Sequence, residues 1–211
     1  MINILIKDDN ALYLWSLQCL LAEIFSQEYQ KKVILTQGVN RGTVSRADMI
    51  IIGMCQGELF TCHPELYSRT KGVIVALMDK KLVNTIPLPE CLSDVVYIER
   101  KAPLELIRSQ IIQAWAGNSA EQGRGRNINC IRCRHRVLSA QQVRIMAGFY
   151  QGKGVTQIAH ELNVSDKTVF SHKYLMMSKF DLASDYELVK LLGKLHECKL
   201  YPHLFKRHCE G

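Results

Sequence analysis

The feature that most constrains this chain is a pair of predicted helices separated by the two-residue turn Asn163-Val164. The shorter helix covers residues 156–162, where apolar side chains recur at helical spacing and the small Ala159 allows another helix to cross closely. Ser165 is a good N-cap for the longer helix, residues 166–179. Two helices joined this tightly predict a helix-turn-helix, whose second helix is held at the surface.

The second helix of a helix-turn-helix can enter the major groove of DNA and is then called the recognition helix. Its side chains include lysines suited to phosphates and polar or aromatic groups suited to base edges. The residues expected to contact DNA are Lys167, Thr168, Phe170, Ser171, His172, Lys173, Tyr174 and Lys179. An all-helical protein-interaction domain is the alternative for the same pattern, so charge is needed to choose between them.

The charge distribution favours a polyanionic partner for the second half of the chain. The formal net charge is +7, and residues 1–116 hold 12 Lys/Arg against 12 Asp/Glu, so the whole excess belongs to residues 117–211. A solvated basic face without a partner is the alternative. No apolar run approaches the roughly 18 residues that a bilayer span needs, which predicts a cytoplasmic protein without a membrane partner.

Short apolar runs alternate with amphipathic stretches in the first half. The runs are strand-sized: residues 2–6, 33–35, 49–52, 72–77 and 95–98. Helices are expected from Leu12 to Phe25 and from Pro103 to Trp115. This alternation predicts an α/β fold with a doubly wound parallel sheet, joined to an all-α second domain.

The second domain resembles the LuxR/NarL-type DNA-binding domain over roughly residues 137–195. The matching positions are Leu138-Ser139, Gly152, Ile158-Ala159, Leu162, Ser165, Lys167-Thr168-Val169, His172 and Lys179. Residues 155–159 and 171–173, with Met176-Met177 following, look most like the Rcs-type regulators of enteric bacteria. The resemblance implies dimeric binding to double-stranded DNA with two half-sites, and a dimer seam at Tyr186, Val189 and Leu192.

Two positions depart from that family. Gln142 stands where an acidic residue is usual in the first helix of the domain, which removes an expected charge contact. Phe170 stands where relatives often carry Lys or a small polar residue, so their base preference cannot be carried over. Phe170 would either contact a thymine methyl group or pack under the neighbouring helix.

Residues 1–116 resemble a response-regulator receiver domain, in which paired acids and a phosphoaccepting Asp surround Mg²⁺. The paired acids would be Asp8-Asp9, although a solvated turn explains them as well. The phosphoaccepting Asp is expected after residues 48–52, and Gly53 stands there instead. Since glycine has no nucleophile, the sequence predicts a degenerate receiver and a protein that is not an enzyme.

Two further receiver features are altered. The hydroxyl expected after the fourth strand falls near Leu77 or Met78, and the lysine expected after the fifth strand aligns with Lys101 or Glu99. Activity would then depend on abundance or on pairing with a related regulator, as a homodimer or heterodimer. The stripe Leu104, Ile107, Ile111 and Trp115 has the spacing of a pairing surface and equally that of a core face.

The expected domains are a receiver-like domain at 1–116, a basic linker at 117–136, the helix-turn-helix domain at 137–195 and a tail at 196–211. Linker and tail contain cysteines and histidines that could bind zinc or sense oxidation: Cys130, Cys133, His135, Cys198, His203, His208 and Cys209. Their spacing is irregular beyond the first pair, so reduced thiols without a metal or cofactor are expected.

Overall fold

The computed structural model describes residues 1–79, 88–120 and 136–197. By its internal contacts the chain forms two units: residues 1–54 with 63–134, and residues 55–62 with 135–211.

The first unit is built on a five-stranded parallel sheet. Its strands are β1 (Ile2–Lys7), β2 (Val33–Gln37), β3 (Met49–Gly53), β4 (Val73–Met78) and β5 (Val96–Glu99). Their order across the sheet is β2-β1-β3-β4-β5, and every pairing is parallel. All six residues of β4 are buried, as expected for a central strand covered on both faces. The predicted parallel α/β fold is confirmed.

Three helices accompany this sheet: α1 (Ala11–Tyr29), α2 (Arg41–Arg46) and α3 (Leu104–Ala120). Asn10 begins α1, because its side chain accepts a hydrogen bond from the Tyr13 backbone N–H at 3.0 Å. Helices α1 and α3 meet where the rings of Phe25 and Trp115 pack edge to face, with centroids 5.0 Å apart. Helix α3 continues past residue 116, the expected end of the domain.

The second unit contains four helices: α4 (Ala140–Tyr150), α5 (Val155–Leu162), α6 (Asp166–Lys179) and α7 (Asp185–Glu197). Ser139 and Gln142 form a capping box at the start of α4, with Gln142 Oε1 accepting from the Ser139 backbone N–H at 3.0 Å. Gln142, which lacks the family's charge, therefore stabilises the helix end through hydrogen bonds.

Close packing of α4 on α5 requires a small residue. A Cβ added to Gly148 would lie 2.7 Å from Ile158 Cγ1, nearer than side chains approach. Ala159 is buried, as expected, and Asn163 takes a left-handed conformation with φ 52° that ends α5. The tight turn predicted from Asn163-Val164 thus joins α5 to α6.

Residues 55–62 belong to the second unit, although they directly follow β3 in the chain. Gln56 Nε2 donates to the backbone oxygen of Asp181 at 2.9 Å, and the Arg136 backbone N–H donates to the Phe60 oxygen at 2.9 Å. Leu59 and Phe60 are buried. A segment expected to belong to the receiver-like domain therefore contributes to the core of the helical unit.

In the part of the chain that the structure describes, none of the helices combines the length and apolar character needed to cross a bilayer.

Candidate nucleic-acid interface and acidic pocket

Helix α6 is fixed in register by its buried face. Val169 and Met176 lie seven residues apart and are both fully buried, so the opposite face of the helix is directed outward. Ser165 Oγ accepts from the Thr168 backbone N–H at 3.1 Å at the start of the helix. Thr156 of α5 donates to Asp166 Oδ2 at 3.0 Å, which joins the two helices of the helix-turn-helix.

The outward face of α6 is rich in apolar surface. Phe170 is 44% exposed, Tyr174 64% and Leu175 56%. Lys167 and Ser171 lie exposed on the same face. Of the eight residues expected to contact DNA, Lys167, Phe170, Ser171 and Tyr174 are thus exposed together.

Lys173 and Lys179 are engaged inside the helical unit. Lys173 Nζ lies 2.6 Å from Asp185 Oδ2, and its side chain is 14% exposed. Lys179 Nζ donates to the backbone oxygen of Val137. Because each amino group already has an acceptor, these two lysines are less available than Lys167 for contacts with phosphate.

The two remaining expected contacts, Thr168 and His172, are half-buried. The Thr168 hydroxyl lies 2.9 Å from Ser165 Oγ at the helix start. His172 Nδ1 is buried and makes no hydrogen bond with the described residues. Both side chains therefore belong to the flank of α6 rather than to its outward face.

The three residues expected at a dimer seam also differ in exposure. Tyr186 is 73% exposed and Val189 50% exposed on α7. Leu192 is fully buried in the helical unit, so its side chain is unavailable to a second subunit. An exposed seam on α7 can include the first two residues only.

The carboxyl edge of the parallel sheet holds an ion pair in place of a receiver's acid cluster. Asp8 follows β1, Gly53 ends β3 and Arg100 follows β5. The Arg100 guanidinium donates two hydrogen bonds to the Asp8 carboxylate, from Nη1 to Oδ1 at 3.1 Å and from Nη2 to Oδ2 at 2.5 Å. The Asp8 side chain is fully buried and that of Arg100 is 20% exposed. Such bidentate pairing satisfies the carboxylate in a water-poor site.

Gly53 leaves no room for a phosphoacceptor in this arrangement. A Cβ built on Gly53 would lie 2.2 Å from Asp8 Oδ2 and 2.5 Å from Arg100 Nη2. Glycine is therefore the residue that lets the guanidinium approach the carboxylate. The site does not fit Mg²⁺, because Asp8 is committed to Arg100, Asp9 is exposed and the phosphoaccepting carboxylate is absent.

The cation at this edge was not the one expected. Lys101 and Glu99 are both exposed, whereas Arg100 between them is turned inward. Its guanidinium carbon lies 4.8 Å from the centroid of the Tyr13 ring, and burial raises the pKa of that tyrosine, with the opposing charge of Arg100 reducing the effect. Leu77 and Met78 at the end of β4 are buried and carry no hydroxyl, as the sequence indicated.

The stripe proposed as a pairing surface on α3 belongs largely to the core. Ile107 is 6% exposed, Ile111 is fully buried and Trp115 packs against the same core. Leu104 alone of the four is well exposed, at 60%. The core-facing interpretation of this stripe is the correct one.

No cluster of three or more His, Cys, Asp or Glu side chains suited to a metal ion occurs in residues 1–79, 88–120 and 136–197. The cysteines and histidines considered for zinc, Cys130 to His135 and Cys198 to Cys209, lie outside the described residues.

Comparison with known proteins identifies the helical unit. Residues 136–192 match the family model described as bacterial regulatory proteins, luxR family. The C-terminal domain is a LuxR-family domain. The match includes the helix-turn-helix inferred from the sequence.

Two curated relatives extend the comparison. The response regulator UvrY of Escherichia coli K12 is 41% identical over 54 residues, which are 26% of this chain and 25% of UvrY. The transcriptional activator protein BglJ of the same strain is 28% identical over 158 residues, 72% of this chain and 65% of BglJ. The matched segments therefore cover a quarter of the one protein and just under two thirds of the other.

A solved structure of RcsB from Salmonella enterica serovar Typhimurium, bound to promoter P1flhDC with the phosphomimetic BeF3-, shares the fold. The match has a TM-score of 0.50 at 18% identity and covers 92% of this chain and 98% of that one. The two proteins thus share the fold.

Sequence reasoning missed three residues of these sites. Leu175 lies on the outward face of the LuxR-family domain, and helical spacing from Ser171 would have found it. Arg100 could not be singled out from the sequence, because its partner Asp8 lies 92 positions away in the chain. Asp185 begins α7 and pairs with Lys173, a contact between helices that no local pattern reveals.

Proposed function

We propose that this protein is a transcription regulator that binds double-stranded DNA through α6 of its LuxR-family domain. The observation that carries the proposal is the outward face of α6, where Lys167, Phe170, Ser171 and Tyr174 are exposed together. A rigid, outward helix of this kind fits the major groove. Because its ligand is DNA, the protein would act in the bacterial cytoplasm.

We also propose that phosphorylation does not control it and that it is not an enzyme. The support is the carboxyl edge of the parallel sheet, where Gly53 offers no nucleophile and Arg100 neutralises Asp8. Phosphotransfer to a receiver needs both a carboxylate nucleophile and a metal held by neighbouring acids. This chain provides neither at the required positions.

The test of DNA binding compares two lysines of the same helix. A library of double-stranded DNA fragments is selected with the full chain, and the salt dependence of binding is measured for Lys167→Ala and Lys173→Ala. Losing the free ammonium of Lys167 should weaken binding to all sequences and make the salt slope shallower by about one. Lys173→Ala should leave the slope unchanged, because that ammonium already pairs with Asp185.

Failure to enrich any DNA would refute the proposed function. Equal salt slopes for the wild type and Lys167→Ala would refute the assignment of α6 as the contacting helix. Thermal unfolding of both variants is the control for folding.

A second candidate function is that of a co-regulator that works mainly by pairing with a related receiver-like protein. It is favoured by large apolar side chains exposed on the first unit, with Leu12 78%, Trp15 67% and Leu104 60% exposed. Replacing Trp15 with Ser should then abolish pairing without unfolding the unit. Two measurements on the full chain without a partner separate the two functions: its sedimentation and its affinity for DNA. Tight DNA binding by the protein alone would contradict the co-regulator function.

A further inference from the structure

The recognition helix lacks the side chains that most often read bases. Residues 166–179 contain no Arg, Asn or Gln, the residues that make paired hydrogen bonds to guanine and adenine. Of its three lysines, Lys173 is held by Asp185 and Lys179 by the Val137 carbonyl. Polar base readout from the outward face is therefore limited to Lys167 and the hydroxyl groups.

What the outward face does offer is apolar surface. Phe170, Tyr174 and Leu175 are 44%, 64% and 56% exposed, and Phe170 and Tyr174 are neighbours on the helix surface because they are four residues apart. The buried side chains Val169 and Met176 fix that side outward, so these rings cannot turn into the core of the domain without unfolding α6. Exposed apolar groups in a major groove have one apolar counterpart on the base edges, the 5-methyl group of thymine.

We infer that this protein selects its DNA sites through the 5-methyl groups of thymine, contacted by Phe170 and Tyr174. The inference rests on the proposed function and goes further by naming the chemical group that is read. Of the two alternatives for Phe170, it takes the thymine contact, which is favoured because a ring 44% exposed on the outward face is not packed under the neighbouring helix.

Helix geometry gives the spacing of the methyl groups. Four residues of an α-helix rise about 6 Å. Successive bases of one strand are about 3.4 Å apart. The rings of Phe170 and Tyr174 therefore span about two base steps, and we expect two critical thymines at that separation in each half-site.

The experiment removes the methyl groups without changing base pairing. A site enriched from a random double-stranded library by the full chain is synthesised again with deoxyuridine in place of one thymidine at a time. Because one buried methyl contributes about 0.8 kcal/mol, each critical substitution should weaken binding about fourfold. Substitution at the other thymines should change the dissociation constant less than twofold.

The same DNA set is then measured with Phe170→Ser and Tyr174→Ser. Each variant should lose the uridine effect at one critical position and keep it at the other, which assigns each ring to a methyl group. Lys167→Ala is the matched control on the same face. It should weaken binding to every DNA equally and preserve the loss of affinity caused by each deoxyuridine substitution. Sedimentation of each variant shows whether the rings instead cover a second copy of the chain.

The outcomes are distinct. Enrichment of a site that is indifferent to deoxyuridine at every position overturns the inference and leaves the proposed function standing. A uridine effect that persists in both serine variants, or a loss of self-association in place of a changed base preference, overturns it as well. Failure to enrich any DNA overturns the inference together with the proposed function.

Discussion

At the scale of single residues, the pair formed by Asp8 and Arg100 determines which groups can lie at the carboxyl edge of the sheet. The carboxylate is fully buried and receives two hydrogen bonds from one guanidinium, which no other side chain could supply in this geometry. Gly53 completes the arrangement because any side chain there would collide with both partners. In this arrangement a side chain at position 53 and the Arg100 guanidinium therefore exclude each other.

Replacing Arg100 with Met is expected to destabilise the first unit by about 3 kcal/mol, because Asp8 would remain buried without its partner. The exposed neighbour gives the control: Lys101→Met should change the free energy of unfolding by less than about 0.5 kcal/mol. Urea unfolding followed by tryptophan fluorescence reports this unit, since Trp15 and Trp115 both belong to it. Equal stabilities of the two variants would show that the pair is not a structural element.

Asp48 gives the unit a pH-dependent contribution to stability. Burial acts to raise its pKa, but the hydrogen bonds from Lys71 and from the Asn3 backbone act in the opposite direction, and the net pKa lies below its ordinary value of 3.8. A carboxyl group with a lowered pKa stabilises the fold above the pKa of the unfolded chain and ceases to do so as pH falls through the folded pKa.

Asp48→Asn should therefore lower the free energy of unfolding by about 1 kcal/mol at pH 7. The difference from the wild type should shrink as the pH is lowered below about 4. Denaturation measured at pH 7, 5 and 3 checks this expectation. A difference that grows toward low pH would have the wrong sign and would contradict the assigned role.

At the scale of elements, the unexpected feature is residues 55–62, which pack in the helical unit. Gly57 has φ +84°, and an added Cβ would lie 2.9 Å from Leu191 Cδ2 and 3.0 Å from the Phe180 oxygen. The segment thus contacts α7 and the residues that follow α6. These contacts place residues 55–62 where they can stabilise the C-terminal end of the proposed recognition helix.

Gly57→Ala should destabilise the helical unit by about 2 kcal/mol, from a strained left-handed conformation and from overpacking against Leu191. Gly152→Ala is the matched control, because Gly152 also has a positive φ of 76° but nothing lies within 4 Å of an added Cβ. Gly152→Ala should lower the free energy of unfolding by no more than about 1 kcal/mol. Hydrogen exchange of the α7 amides measures the destabilisation in both variants. Equally faster exchange in the two variants would argue against the packing of residues 55–62 on α7.

The elements differ in how far the sequence could predict them. Strand β3 and helix α6 were predictable, since an unbroken apolar run and a capped helix depend on local pattern. The ion pairs of Arg100 with Asp8 and of Lys173 with Asp185 join residues 92 and 12 positions apart, so local pattern carries no signal for them. Leu192 was misplaced at the dimer seam because spacing on α7 does not reveal which of two apolar faces packs inward.

At the scale of the whole molecule, the two units divide the proposed function between them. Residues 137–197 carry seven Lys/Arg and six Asp/Glu, so the helical domain itself is nearly neutral and most of the +7 excess belongs to residues 117–136 and 198–211. A nearly neutral helical domain fits the inference that base selection depends on apolar contacts more than on charge. The receiver-like unit has the five-stranded parallel sheet, and Gly53 with the Asp8–Arg100 pair at its carboxyl edge supports the proposal that phosphorylation does not switch it.

DNA binding through α6 without control by phosphorylation is tested most directly by one comparison. The dissociation constant of the full chain for an enriched DNA site is measured with and without prior incubation with acetyl phosphate and Mg²⁺, together with the intact mass. We expect equal affinities and an unchanged mass. An added phosphoryl group accompanied by a changed affinity would contradict the proposed independence from phosphorylation.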